Sequence, residues 1–349
     1  RGSEISMLKS NITKLVVGII ISAVFLYLAF RQVDLEKVAD AIKKAEYWYL
    51  LPGSVFLFLS LWIRAYRWGV FFKPIKQMKM NNLFSALMIG YMANTVFPFK
   101  LGEFLRAHSI GKMENFSKVT SLATVVVERI LDVIFLLVLL GIALLFQPFT
   151  GYEYVKSGGL LMFLIATVAI LFLIFLVIRT EAALKFYEKV TRMLPEKLRD
   201  AGRSILNSLT EGLVVLKKPE YYLVTAITSV AIWFCYVALI VIFIFAFSLQ
   251  DEIINGGVGK IFVAGITVLV MSGLSVSVPS SPGYIGTYHY LVSQGLIIYG
   301  VQPSEALSFA VVTHIFGIFP PAILGMYYFL RQHISFHDAL EKESLPKES

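Results

Sequence analysis

Long apolar stretches alternate with short polar connections along most of the chain. Several of them reach or approach the roughly 20 residues that an α-helix needs to cross about 30 Å of hydrocarbon. Alternating segments of about ten residues, the pattern of an outer-membrane barrel, are absent. The pattern predicts six full crossings, near residues 13–31, 48–72, 119–147, 159–179, 221–249 and 304–330.

Two further apolar segments, 82–97 and 261–278, each run into a Pro/Gly break that is followed by a shorter helix-compatible piece. A re-entrant hairpin, which enters and leaves the membrane by one face, would give this pattern, and so would a pair of short or tilted complete spans. We predict an all-α polytopic integral membrane protein with six full spans and two re-entrant helical hairpins.

One transmembrane domain, residues 13–332, accounts for most of the chain. It follows an N-terminal tail (1–12), whose first six residues we interpret as an addition before a native start at Met7, and precedes a cytoplasmic tail (333–349). Residues 180–218 mix basic and apolar positions, which is typical of amphipathic helices on the cytoplasmic surface.

The two breaks belong to an internal repeat. Placing Asn94–Gly102 over Val278–Gly286 aligns both Pro-x-x-x-Gly sequences at an offset of 184 residues, and the same offset continues without a gap. Repeat one covers about 82–147 and repeat two about 261–330. Each contains a broken hairpin followed by a long span.

Composition agrees with a membrane protein, since 57% of the residues are hydrophobic and 15% are charged. This excludes a water-soluble globule. The net charge of +8 reflects orientation rather than nucleic-acid binding: 24 basic residues lie in the predicted inside segments, 6 lie outside and Arg129 lies within a span. The positive-inside rule then predicts a multi-pass protein of the cell membrane with both termini in the cytoplasm.

This charge distribution makes the first hairpin enter from the cytoplasm and the second from outside. Inverted repeats with discontinuous helices at the midplane are a construction of transporters, because two similar halves can alternate between inward-facing and outward-facing shapes.

The breaks predict a polar cavity at membrane depth, because exposed backbone groups are tolerated there only beside protein or water. Short helices that begin near Glu103 and Thr287 would direct their N-terminal N–H groups toward it, an arrangement that suits a phosphate. Simple helix kinks resolved by packing are the alternative. The residues predicted to line the cavity are Asn94, Pro98, Gly102, Glu103, Pro282, Gly283, Gly286 and Thr287.

Four basic residues flank the first break and could hold a lipid phosphate through charge-assisted hydrogen bonds. They are Lys100, Arg106, Arg64 and Arg67. Arg64 and Arg67 could instead extend to the cytoplasmic interface, with their aliphatic stems in the apolar layer.

Glu128, Arg129 and Asp132 lie within an apolar span, where an unpaired charge costs roughly 2.5 to 3.5 kcal/mol. On one helix Arg129 can bridge the two carboxylates, as a structural clamp or as part of a gate. His289 and His314 could respond to protons beside the second break, or serve as neutral hydrogen-bonded helix contacts. We assign gating or proton coupling to Glu128, Arg129, Asp132, His289 and His314.

Catalytic and cofactor signatures are missing from the sequence. Its single cysteine, Cys235, allows no intrachain disulfide, and no Walker A loop, HExxH, dinucleotide fingerprint or nucleophile elbow occurs. We therefore expect no cofactor, no metal and no enzymatic activity.

Three linked motifs resemble the transmembrane-region family of lysylphosphatidylglycerol synthases, also called the flippase-like or UPF0104 family. They are Arg64-Ala-Tyr-Arg67-Trp68, the segment Asn94–Ala107 and Glu128-Arg129-Ile-Leu-Asp132, and Pro279–His289 is similar to a second signature of one branch. The resemblance implies a lipid flippase without the soluble aminoacyltransferase domain, and it does not identify the lipid.

We therefore predict transport of an anionic phospholipid or polyprenyl-phosphate-type headgroup through the cavity by alternating access. A secondary transporter of a small amphipathic solute, a membrane-embedded lipid-modifying enzyme and a nonconducting scaffold are the alternatives. The expected partners are membrane lipids, and a lipid-biosynthetic enzyme is a further candidate. We expect no nucleic acid.

Overall fold

The structure, a computed structural model, describes residue 16 and residues 18–31, 33–97, 100–146, 218–253, 259–278 and 281–332, with isolated positions between 157 and 168. All regular secondary structure in these residues is helical. The predicted tails (1–12 and 333–349), Pro98 and nearly all of the predicted surface segment 180–218 lie outside them. Only scattered positions of the predicted crossing at 159–179 are described.

The helices follow the hydrophobic pattern closely. In chain order they are α1 (Gly18–Phe30), α2 (Leu35–Lys44), α3 (Leu50–Phe72), α4 (Met80–Val96), α5 (Leu101–Glu114), α6 (Lys118–Phe146), α7 (Tyr222–Ala246), α8 (Gln250–Ile253), α9 (Gly259–Ser277), α10 (Thr287–Ile297) and α11 (Pro303–Arg331). Single 3₁₀ turns at Tyr47–Tyr49, Pro219–Tyr221 and Pro282–Tyr284 precede α3, α7 and α10.

Five helical segments within the described residues are long and apolar enough to cross a membrane. They are Tyr47–Phe72, Lys118–Phe146, Pro219–Ala246, Gly259–Ser277 and Pro303–Arg331. A sixth is possible if α1 and α2, which meet at an angle of 82°, form one broken span. The protein is thus an all-helical, multi-pass membrane protein, as predicted.

The finer topology stays a prediction. Residues 261–278 are predicted to form half of a re-entrant hairpin, whereas the 19 residues of α9 suffice for a crossing. The helix boundaries alone are compatible with either route through the membrane.

The layout of helices is repeated around the two breaks. In the first unit α4 (17 residues) and α5 (14 residues) precede α6, and in the second α9 (19 residues) and α10 (11 residues) precede α11. Both α6 and α11 contain 29 residues. In each unit, two shorter helices separated by a break therefore precede a long helix.

The first helix of each unit packs on the long helix of the other unit. Helix α4 packs along α11 of the other unit, and α9 packs along α6. The α4–α11 contact is so close that a Cβ added to Gly325 would overlap the carbonyl oxygen of Met88. Helices α3 and α7 pack on each other beside the two units. This arrangement brings both breaks to one place.

Candidate functional site

A cavity of about 320 Å³ lies where the two breaks meet. Its wall combines residues on both sides of the first break, residues of the second break and residues of α3, α6, α7, α9 and α11. Of the residues predicted from the sequence, it contains Asn94, Lys100, Glu103, Arg129 and His314. Polar residues near the two breaks share this wall with apolar residues of the surrounding helices, such as Leu57, Phe243 and Leu269, so the cavity is mixed in character.

The first break is held by a close contact between α4 and α5. Lys100 has left-handed backbone angles (φ 55°, ψ 35°) and directly precedes α5. The Gly102 N–H donates to the Asn94 side-chain oxygen at 2.8 Å. A Cβ on Gly102 would overlap the carbonyl oxygen of Gly90, so only glycine fits without a shift.

The second break rests against both the first break and α1. Gly283 (φ 68°) lies so near the first break that a Cβ on it would be 3.6 Å from the Thr95 carbonyl oxygen. The Ser281 N–H donates to the Ser22 hydroxyl of α1 at 2.8 Å. Gly286 also has a positive φ of 93°, which an L side chain rarely adopts. The predicted breaks at Pro282, Gly283 and Gly286 are thus real changes of chain direction.

Thr287 and His289 lie behind the wall. Thr287 is fully buried, and its hydroxyl donates to the Tyr284 carbonyl at 3.1 Å. The ring centroid of His289 is 4.8 Å from that of His314. These two residues support the second break instead of lining the cavity.

An ion-pair cluster borders the cavity on the side of the first unit. Glu128 is fully buried and accepts hydrogen bonds from Arg64 at 2.7 Å, from Arg106 at 2.7 Å and from Arg129 at 2.8 Å. Asp132 accepts from Arg64 at 2.9 Å and from Arg67 at 2.7 Å. Two carboxylates on one face of α6 therefore fix arginines from three helices.

Aromatic and hydroxyl groups complete this cluster. The guanidinium carbon of Arg106 lies 3.7 Å from the ring centroid of Trp68, a cation–π contact. Trp68 in turn donates to the Thr124 hydroxyl at 2.9 Å, and Arg67 donates to the Ser229 hydroxyl at 2.9 Å. Such packing holds each guanidinium in one position.

The cluster revises the expected placement of three arginines. Arg64 and Arg67 are 5% and 0% exposed, so they do not extend to the cytoplasmic interface as the alternative required. Arg106 is buried as well. Arg64, Arg67 and Arg106 lie in ion pairs behind the cavity wall, and their role in headgroup binding stays a prediction.

Arg129 connects the cluster to the cavity. Its side chain is 41% exposed, lines the cavity, and lies 3.5 Å from both Glu103 and Asp132. Lys100 is exposed beside it, and within the described residues no carboxylate lies within ion-pair distance of its amine. Arg129 and Lys100 are therefore the two cations that a guest in the cavity can reach.

The opposite side of the cavity is neutral. Tyr288 stacks on His314 with a centroid distance of 4.3 Å, and its hydroxyl donates to that of Thr313 at 3.4 Å. The His314 side chain is 7% exposed, and its Nε2 has no hydrogen-bond partner within the described part of the chain. Ser272 and Tyr284 add two more hydroxyl groups to this wall.

Sequence reasoning missed most of these hydroxyl groups. Tyr91, Tyr236, Tyr284, Tyr288, Ser272 and Thr313 line the cavity and were not assigned to it. Tyr284 and Tyr288 flank the predicted Gly286 and Thr287, which is the signal that could have identified them. Tyr236, whose hydroxyl accepts from Arg64 Nε at 3.2 Å, lies on a helix that no motif singled out.

The described residues contain no group of three or more His, Cys, Asp or Glu side chains that could hold a metal ion. The cluster pairs its carboxylates with arginines, so its chemistry is that of charge balance and anion contact.

The comparisons with known proteins agree with the motifs. The chain is 25% identical over 311 residues to a UPF0104 membrane protein of Methanothermobacter thermautotrophicus, covering 83% of this chain and 87% of that protein. It is 26% identical over 192 residues to one of Methanocaldococcus jannaschii, covering 54% and 56%.

A more distant match joins the chain to a larger protein. The glycosyltransferase AglD of Haloferax volcanii is 21% identical over 356 residues, covering 95% of this chain and 56% of that protein. No solved structure matches the chain.

The family pattern described as the lysylphosphatidylglycerol synthase TM region matches residues 15–325, which contain both breaks, the ion-pair cluster and the cavity. The chain therefore belongs to this family of integral membrane proteins.

Proposed function

We propose that the protein is a lipid transporter, which moves an anionic lipid headgroup through the cavity while the lipid tails stay in the bilayer. The observation that carries the proposal is the shared wall of the cavity, which both breaks and the charged face of α6 form. A site between two similar units is the place where alternating access would expose one ligand to both sides in turn.

Charge supports a polar ligand. Maintaining Arg129 and Glu103 among membrane-crossing helices is costly unless they pair or act on a guest. Their mutual distance of 3.5 Å gives only partial pairing, and both face the cavity. A headgroup phosphate would supply acceptor oxygens to Lys100 and further ones to Arg129, which already donates to Glu128 at 2.8 Å.

The orientation belongs to this proposal. With both termini in the cytoplasm of a cell membrane, the first hairpin enters from the cytoplasm and the second from outside, and their breaks meet within the membrane. Re-entrant hairpins in inverted repeats would then form the two gates.

Leaflet exchange in reconstituted vesicles tests the function. We expect purified protein to accelerate exchange of tail-labelled anionic lipids, measured with and without a proton gradient. Arg129→Gln should slow exchange by about tenfold or more, because it removes a charge-assisted contact to the headgroup. Arg331→Gln is the matched control, since Arg331 is exposed at the end of α11 and contacts Tyr327.

Three results would contradict the proposal. The absence of protein-dependent exchange across anionic phospholipids and polyprenyl phosphates would exclude lipid transport. Solute flux without lipid movement would favour a solute transporter. Recovery of covalently changed lipid would favour an enzyme.

A further inference from the structure

We propose that the cavity selects a phosphate headgroup that carries net negative charge and no amine, with the phosphate between Lys100 and Arg129 and an uncharged, hydroxyl-bearing part against the second break. This inference rests on the proposed function and specifies its substrate class.

Basic residues outnumber carboxylates among the described residues at the cavity and the ion-pair cluster beside it. The ion-pair cluster contains four arginines and three carboxylates: Arg64, Arg67, Arg106, Arg129, Glu103, Glu128 and Asp132. Lys100 adds a further cation at the cavity. Two positive charges therefore lack a protein carboxylate, and an anionic phosphate group would offset part or all of this excess.

The carboxylates near the cavity are engaged by arginines. Glu128 and Asp132 are directed toward arginines behind the wall, so they do not offer oxygens to a guest. Among the described wall residues Glu103 is the only carboxylate, and it lies 3.5 Å from Arg129. An ammonium group on a guest would therefore enter a site with excess positive charge, where the only carboxylate of the described wall is already shared with Arg129.

The wall on the side of the second break offers hydrogen-bonding groups without charge. Ser272, Tyr284, Tyr288 and Thr313 offer hydroxyl groups, and the buried His314 Nε2 lacks a partner. Buried polar groups are expected to find hydrogen-bond partners, so this nitrogen indicates that the guest supplies one. Neutral donors and acceptors on a guest, such as glycerol or sugar hydroxyls, satisfy such a wall without adding charge.

Together, the two walls determine how the headgroup is oriented. The phosphate faces the first break, and the hydroxyl-bearing part faces the second. Lys100 is the specificity-determining residue with the fewest structural ties, because it is exposed and outside the ion-pair cluster. Changing its charge should alter the choice of lipid with little effect on folding.

Vesicle exchange with three tail-labelled lipids tests this choice: phosphatidylglycerol (anionic, no amine), phosphatidylethanolamine (zwitterionic) and lysylphosphatidylglycerol (cationic). We expect phosphatidylglycerol to exchange about tenfold or more faster than either amine-bearing lipid, because like charges in a desolvated site repel. Lys100→Glu should slow phosphatidylglycerol and accelerate the amine-bearing lipids, a gain that misfolding cannot produce. Lys37→Glu, on the exposed face of α2, is the control.

The outcomes separate the inference from the function. Equal rates for the three lipids, or an unchanged preference in Lys100→Glu, would overturn the inference and leave lipid transport standing. Uptake of free glycerol 3-phosphate that depends on Lys100, without lipid exchange, would support the anion site but identify the guest as a soluble phosphate ester. Absence of both lipid exchange and glycerol 3-phosphate uptake would overturn both proposals.

Discussion

The two breaks share one layout and differ in chemistry. At the first break, carboxylates and arginines are buried together, with Glu128 contacting three guanidinium groups. At the second break, the side chains are tyrosine, threonine and histidine, and within the described wall none of them carries a fixed charge. The same arrangement of helices thus supports a charged half and a hydrogen-bonding half.

This difference shows that two units with the same arrangement of helices can form a site whose two sides differ in chemistry. The shared arrangement depends on small residues at the close contacts, as at Gly102 and Gly325. The specificity depends on residues that the repeat does not fix, since Glu128 of the first unit has no carboxylate counterpart near His314. Substitutions at the glycines should therefore change stability, and substitutions at the cavity wall should change transport.

The largest effect is expected from Glu128→Gln. This change leaves the buried Arg106 without a carboxylate and removes one of the carboxylates that Arg64 and Arg129 contact. Removing one partner of a buried ion pair costs about 3–5 kcal/mol. Thermal unfolding in lipid nanodiscs should show a strong loss of stability. Glu103→Gln, whose carboxylate is partly exposed and only 3.5 Å from Arg129, should have a much smaller effect. Equal losses for the two variants would contradict the role of the cluster.

Gly102→Ala is expected to have the next largest effect. Its Cβ would overlap the Gly90 carbonyl oxygen and the Asn94 side chain, which forces α4 and α5 apart at a cost of about 1–3 kcal/mol. Gly317→Ala is the control, because nothing lies within 4 Å of its added Cβ and a helix interior favours alanine over glycine by up to about 1 kcal/mol. The two variants should move the unfolding temperature in opposite directions; a matching decrease would contradict this interpretation.

A smaller and purely functional effect is expected on the neutral side. His314→Phe keeps an aromatic ring against Tyr288 and removes the hydrogen-bonding nitrogen, so exchange of a hydroxyl-bearing anionic lipid should slow by about three- to tenfold. The unfolding temperature should change little. A lipid without headgroup hydroxyls, such as phosphatidic acid, should be affected less. The same slowing for both lipids would contradict a contact from His314 to the hydroxyl-bearing part.

The smallest effect concerns a carboxyl pair at one end of the second unit. Burial and the neighbouring Glu305 carboxyl raise the pKa of Glu252 to about 7. Because the folded-state pKa lies above the unfolded value, the folded state binds the extra proton, and this contribution to stability is lost as pH rises through about 7.

The unfolding temperature should therefore fall slightly between about pH 4.5, the ordinary pKa of a glutamate, and about pH 7, and change little above it. Glu252→Gln should remove that part of the pH dependence without changing the fold. A pH profile that is identical in the variant and the original protein would show that this carboxyl pair does not contribute.

The sequence alone predicted the membrane class, the breaks and most helix ends. Apolar runs and the Pro-x-x-x-Gly sequences determine where the chain can be helical, so α4, α5, α9 and α10 lie within a few residues of the expected segments. Asn94 and Glu103, which were predicted to line the cavity, lie on its wall, and so do Lys100, Arg129 and His314, which were assigned to headgroup binding or gating. The other described residues predicted to line it are not on the wall: Gly102, Pro282, Gly283, Gly286 and Thr287.

Pairing across helices was not predictable in the same way. Arg64 meets Glu128 and Asp132 at separations of 64 and 68 residues, and nothing local indicates which helix faces which. The apolar spacing of α3 permits an arginine that reaches the interface as well as one that turns inward. The packing of α4 on α11 of the other unit determines which side chains line the cavity. This packing joins segments far apart in the sequence, so no local pattern reveals it.

This packing between the two units has a consequence for how the protein can be assembled and altered. The first helix of each unit, α4 or α9, packs along the long helix of the other unit, α11 or α6. The contact between Met88 and Gly325 shows how closely α4 and α11 approach. If the two halves were expressed as separate polypeptides, the face of α4 or α9 that packs on the other half would stay uncovered until the two halves associate. A substitution in one half therefore acts first on a helix of the other half, and compensating changes should be sought in that helix.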